Sequence, residues 1–324
     1  MSAPGPRADM PPALLEALDA SLGRPVPAGA RALASHFRDR HGDNLRALLF
    51  YGSCFRRCED RDGLLDFYLL VDDYRQAHGS RRAAWANRLL PPNVYYLELP
   101  FEGRVLRSKY GVVSLAQLQR LVRPDTLQGY FWGRLSQPCG LLACRDDATR
   151  EAVRQLLGQA VMTLLGAALP LQPPGRHDAL AIWQDALLAS YGSELRPERP
   201  QAVRAMTQQD EAHYRRLCAA AAGMLPGLAP AEDGTGDRYE VRPHAATARR
   251  ARCRWRLRAL VGRTLNVARI LKAAFTFSGG ADYLLWKIER HSGVRLEPTP
   301  LLRRAPLLGI WGLAWRAWRR GVFR

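Results

Sequence analysis

Residues 47–73 read ALLFYGSCFRRCEDRDGLLDFYLLVDD, and the way this stretch divides decides the fold. The apolar run 47–51 reads as a buried strand. Tyr51 closes it, and Gly52-Ser53 follows as a sharp turn whose small residues let the backbone approach an anion. After a charged stretch comes a second apolar run, 64–71, that carries one acid, Asp66. A lone carboxylate in an apolar strand is costly unless it is paired or metal-bound, which makes Asp66 a candidate metal ligand. Tyr68, Leu70 and Asp72 fall on the same face of that strand. Asp72 lies about 20 Å further along by strand rise, so it is expected at the surface or at a helix start.

A strand, a Gly-Ser turn and an acid on the next strand resemble the opening of the polymerase-β-type nucleotidyltransferases. That resemblance implies a triphosphate cradled at Gly52 and Ser53 and a metal held by Asp66. The usual pattern has two acids one residue apart, and Asp66-Phe67-Tyr68 supplies only one.

The chain has 324 residues, enough for two domains and a sizeable core. Its formal net charge is +18 and unevenly spread. From Glu240 onward there are 19 Lys and Arg against 4 Asp and Glu, a net of +15, which leaves +3 for the first 239 residues. The first part is nearly neutral and the last part is a cationic module, suited to nucleic acid or an anionic membrane surface. Only Lys109, Lys272 and Lys287 are lysine among 48 basic residues. The six cysteines lack the spacing and histidine partners of a zinc site. The N-terminal residues do not read as a secretory or transit signal, so a reducing cytoplasm is the expectation. No apolar run is expected to reach the roughly 18–20 residues that span a bilayer.

Along the chain, helices are expected at 11–22, 28–40 and 81–90, and strands at 94–99 and 104–113. Ser114 reads as the N-cap of a helix at 115–122. A helical stretch opens at Pro124 and ends near 134–135. From 146 the pattern turns helical, with helices at 149–169, 176–190 and 200–223. The fold expected is α+β. A nucleotidyltransferase domain (1–145) precedes a helical domain that completes the site (146–223). A Pro/Gly-rich linker (224–246) then leads to a basic, amphipathic helical region (247–324). Near the end, Trp311, Trp315, Trp318 and Val322 fall on one helical face flanked by Arg316, Arg319, Arg320 and Arg324. Trp with Arg suits the headgroup layer of a membrane.

At Lys109 the pattern becomes more specific. SKYGVVSLAQLQRLVRPDTLQGYFWGRLSQPC, from Ser108 to Cys139, resembles a block of the mitochondrial-type phosphatidate cytidylyltransferases, the translocator assembly and maintenance family. Lys109-Tyr110-Gly111-Val112-Val113-Ser114 and Gly133-Arg134-Leu135 carry it. Tyr51-Gly52-Ser53, Leu65-Asp66-Phe67 and the 190–198 segment SYGSELRPE follow the same family order over roughly residues 45–210. The resemblance implies Mg2+-dependent transfer of a cytidylyl group from CTP to phosphatidic acid, giving CDP-diacylglycerol and pyrophosphate. It implies metal acids at Asp66 and Glu194, a catalytic Lys109, and a nucleotide site at Tyr51, Gly52, Ser53, Arg134 and Arg196. Lys109 is the only lysine in the first 271 residues, a sign that Arg is not equivalent there. The chain departs from the family at Cys54, where a Gly is usual, at Glu194, where an Asp is usual, and in an insertion at 56–63.

Three readings follow. The first is a peripheral membrane cytidylyltransferase on the cytoplasmic face of a bacterial inner membrane, with phosphatidic acid and the membrane surface as partners and no nucleic acid. The second is a nucleotidyltransferase acting on RNA or another polar acceptor. The third is an inactive membrane-associated adaptor.

Overall fold

The computed structural model describes residues 10–61, 63–195, 197–231 and 237–276, together with Leu285, Arg290 and Thr299. Arg196 and the Trp- and Arg-bearing stretch 305–324 lie outside the described residues.

Helices α1 (Pro12–Leu22) and α2 (Ala28–His41) precede strand β1 (Leu45–Tyr51). The short α3 (Gly52–Arg57) leads to β2 (Leu65–Val71). Then come α4 (Tyr74–His78), α5 (Arg81–Leu89) and the hairpin β3 (Asn93–Phe101) and β4 (Arg104–Ser114). Next are α6 (Leu115–Leu121), α7 (Tyr130–Leu135), β5 (Gly140–Cys144) and the long α8 (Asp147–Ala168). β6 (Gly175–Asp178), α9 (Ala179–Gly192), α10 (Pro200–Gln209) and α11 (Glu211–Ala221) follow. β7 (Leu228–Pro230), β8 (Arg238–Val241) and α12 (Ala245–Thr276) close the described chain.

The main sheet has the order β3-β4-β2-β1-β5. β2 and β4 are parallel and the other pairs antiparallel, so the chain is α+β with a mixed sheet. The period of two in β1 and β2 explains how it is covered. Leu48, Phe50, Phe67 and Leu69 point to one face and pack under α2 through Ala30, Leu33 and Phe37. Ala47, Leu49, Tyr68 and Leu70 point to the other and join a core built with α1, α8, α9 and α11. That second core is continuous from Leu14 to Val241, so the helical half and the sheet share one interior.

Several local expectations differ from the structure. Residues 140–144 form an edge strand on β1, where the sequence reading placed a boundary. The 224–246 stretch is not an extended linker. β7 and β8 pair with each other and β8 pairs with β6, giving a second sheet of order β6-β8-β7. Pro226 and Gly227, with Gly227 at φ +83, set the turn that enters β7. β6 replaces the first turn expected of the 176–190 helix, and Asp178 caps α9 by accepting from Leu180 N. The 200–223 helix breaks at Asp210, whose carboxylate takes Arg24 at 2.5 Å. Only 130–135 of the expected 124–135 helix forms. By length and composition, the segment Asp147–Leu171 is able to cross a membrane, which corrects the expectation for the described residues. Its most apolar window is 61% buried inside the protein, as in a core helix.

Candidate active site

The site grows out of strand register. Tyr51 on β1 faces Asp66 on β2, Asp66 faces Lys109 on β4, and Lys109 faces Tyr96 on β3. Paired residues on adjacent strands share a face, so these four side chains make one row across the sheet. The row sits at the end of the face that the helices cover. There the helical layer opens into a cleft of about 300 Å3.

Gly52 follows β1 at the start of α3, with φ +85. A Cβ at that position would lie 2.9 Å from Asp66 Oδ2. Both the left-handed backbone and the close approach therefore require glycine. The expected turn is the first turn of α3. Ser53 is exposed and does not line the cleft, unlike Gly52, Tyr51, Asp66 and Lys109.

Lys109 Nζ lies 3.4 Å from Asp66 Oδ1. Burial raises the Asp66 pKa above the ordinary carboxylate value, and the Lys109 ammonium opposes that rise without cancelling it. Tyr51 stacks on Tyr68 with ring centroids 4.7 Å apart. Burial, and then the Asp66 charge beside it, push the Tyr51 hydroxyl well above its ordinary pKa, so it is a neutral hydroxyl.

The cations come from two helices. Arg56 on α3 reaches the cleft and donates to Gln137 Oε1 at 3.4 Å. Its Nε is buried without a hydrogen-bond partner. Arg134 on α7 lies 3.9 Å over the Tyr130 ring. Its two terminal nitrogens donate to Glu194 at 2.5 and 2.9 Å, a bidentate pair. Gln137 donates to the Tyr191 hydroxyl at 2.7 Å. The facing wall is Tyr191 together with Glu198, Val203 and Met206 near the start of α10.

The structure sets Glu194 apart from the cleft lining. Both of its oxygens are held by Arg134, its side chain is 12% exposed, and it does not line the cleft. The carboxylates that line the cleft are Asp66 and Glu198. Among the described residues no three His, Cys, Asp or Glu groups converge as a metal site. Mg2+ is commonly held by one or two carboxylates plus substrate phosphates and water. Asp66 and Glu198 are the described carboxylates that this cleft offers to an ion shared with a bound phosphate.

Arg56, Tyr130, Gln137, Tyr191 and Glu198 join the cleft without having been assigned a role from sequence. Arg56 falls in the stretch read as an insertion. Tyr130 precedes Arg134 by four residues, the spacing of helix-face neighbours. Tyr191 and Glu198 belong to the SYGSELRPE segment, so that segment carried a usable signal. Arg196, expected at the nucleotide, lies outside the described residues. No protein-family model matches the chain, and no curated protein matches it significantly.

Proposed function

We propose that this cleft transfers a cytidylyl group from CTP to phosphatidic acid, releasing pyrophosphate and forming CDP-diacylglycerol. The observation that carries this reading is the Asp66–Lys109 pair lying in register beside Gly52, with Arg56 and Arg134 on the walls. Bringing two polyanions together is the central difficulty of the reaction, and a carboxylate set among three cations is suited to it. The choice of cytidine and of phosphatidate rests on the resemblance of the KYGVVS, GRL and SYGSELRPE segments.

Asp66 and Glu198 would hold Mg2+, whose charge offsets that of the triphosphate when it is bound. Gly52 lets the backbone approach the phosphates without a side chain between. Lys109 brings a point charge to a phosphate at Asp66, and Arg56 supplies a planar donor set to the same region. An oxygen of the phosphatidate phosphate attacks the α-phosphorus of CTP, a new P–O bond forms, and the bond to the bridging oxygen breaks as pyrophosphate leaves. The nucleophile is already ionised, so no base need remove a proton. The inactive-adaptor reading is disfavoured by the raised pKa of Asp66 and the charge around it, since perturbed carboxylates cluster at functional sites.

Purified protein given CTP, Mg2+ and phosphatidic acid micelles is expected to form CDP-diacylglycerol with lipid-dependent pyrophosphate release. No lipid-dependent release rejects the reading. Transfer of CMP to RNA in place of lipid rejects the acceptor.

A further inference from the structure

A second cleft, of about 440 Å3, lies between α8 and α12, away from the Asp66 row. Its α8 side is largely apolar, with Met162 and Ala167, and Leu225 adds to that surface. Its α12 side presents Arg250, Arg254 and Arg258, one turn apart. No Asp or Glu among the described residues lines it.

Arg258 is the unusual member. It is 3% exposed. Its guanidinium carbon sits 4.9 Å from the Trp132 ring and 5.1 Å from the Trp255 ring, held between the two. The two rings are themselves anchored, Trp132 Nε1 donating to Leu121 O at 3.0 Å and Trp255 Nε1 to Ala167 O at 2.8 Å. Among the described residues Arg258 makes no ion pair, and its Nε is buried without a hydrogen-bond partner. A buried guanidinium is expensive unless an anion meets it, and the stacked rings offset only part of that cost. Burial, and then the neighbouring Arg254 charge, lower its pKa to about 10, so it stays cationic at neutral pH. Arg254 donates to Pro124 O at 3.1 Å, which fixes it at the mouth of the cleft.

We propose that this cleft is a second anion site, in which Arg258 and Arg254 hold a phosphate whose apolar carrier lies along Met162, Ala167 and Leu225. The arrangement is a charged end and an apolar wall within one cavity, the shape of a lipid phosphate. The same chemistry accommodates a soluble phosphate monoester at the charged end alone. The proposal does not depend on the catalytic reading, because none of these residues lines the Asp66 cleft.

The test is isothermal titration of the full chain with dodecyl phosphate below its micelle concentration, beside inorganic phosphate and dodecyl maltoside. Dodecyl phosphate is expected to bind, and Arg258→Gln to weaken that event by about tenfold or more, the loss of a charge-assisted contact. Arg254→Gln, at an exposed position that leaves the core intact, is expected to weaken it as well. Lys109→Gln, in the other cleft, should leave it in place. Tighter binding of dodecyl phosphate than of inorganic phosphate assigns the site to a lipid headgroup, and equal binding assigns it to a soluble phosphate. Equal binding of dodecyl maltoside, or affinity unchanged in both arginine variants, overturns the proposal.

Discussion

Asp66 concentrates the chemistry of the cleft in one side chain. Its pKa is raised by burial, so the folded state holds its proton more tightly than the unfolded chain does. Stability therefore falls as pH rises from the ordinary aspartate range through the raised value, the cost of ionising a buried carboxylate. Asp66→Asn removes the cost along with the charge. Turnover is expected to fall about 100-fold or more, while the melting temperature at pH 7 does not drop. Near-normal turnover in a steady-state assay rejects the metal role. In the wild type, activity should rise with pH through a point above the usual carboxylate range, where Asp66 ionises. The sequence showed Asp66, because a lone acid in an apolar strand has few structural explanations. It did not show the acid's neighbours. Glu194 and Glu198 are four residues apart, and composition alone does not say which of them faces the cleft.

At the scale of elements, α7 is the hinge of the site. Its Tyr130 and Arg134 line the Asp66 cleft, while Trp132 between them stacks on Arg258 toward the second cleft. Tyr130 is itself held between two guanidiniums, Arg134 at 3.9 Å and Arg269 of α12 at 4.4 Å. The Arg134–Glu194 pair ties α7 to the end of α9. The two carboxylates between α9 and α10, Glu194 and Glu198, should then separate in their effects. Glu194→Gln is expected to destabilise the protein by about 1–3 kcal/mol, since it leaves Arg134 without its partner, and to leave the Mg2+ requirement unchanged. Glu198→Gln, at an exposed position, is expected to raise the Mg2+ concentration needed for half-maximal rate and to leave the melting temperature alone. Melting curves and Mg2+ titrations of both variants decide the matter, and the reverse pattern restores Glu194 as the metal acid. Strands β1 to β4 were legible from their period, and some helix starts from their caps. Ser114, for example, accepts from Gln117 N as its position suggests. The 200–223 helix read as one element because its pattern runs on, and it breaks because Asp210 turns to meet Arg24, 186 residues away.

For the molecule as a whole, the described part of the cationic module, α12, packs on the body of the protein. α12 sends Trp255 onto α8, Arg269 to Pro91 O at 3.0 Å, and Lys272 to Pro92 O at 2.8 Å, so the basic helix packs across the body that carries both clefts. Leu260, Ile270 and Leu271 remain exposed along the same helix. The proposed membrane attachment predicts that deleting 305–324 abolishes sedimentation with anionic liposomes. If the truncated chain still sediments, the attachment lies on the arginine-rich start of α12. The division between what the chain spells out and what folding adds follows from range. Periodicity, caps, the Gly52 turn and the lone acid are local, set by neighbours within a few residues, and the sequence by itself determined them. Only the tertiary structure decided that β2 lies beside β4 in a register that sets Asp66 against Lys109. Only it closed the 224–246 stretch into a sheet, turned Glu194 onto Arg134, and left Arg258 buried between Trp132 and Trp255. Each of these depends on contacts between residues far apart in the chain, whose free energies a reading of local pattern does not contain.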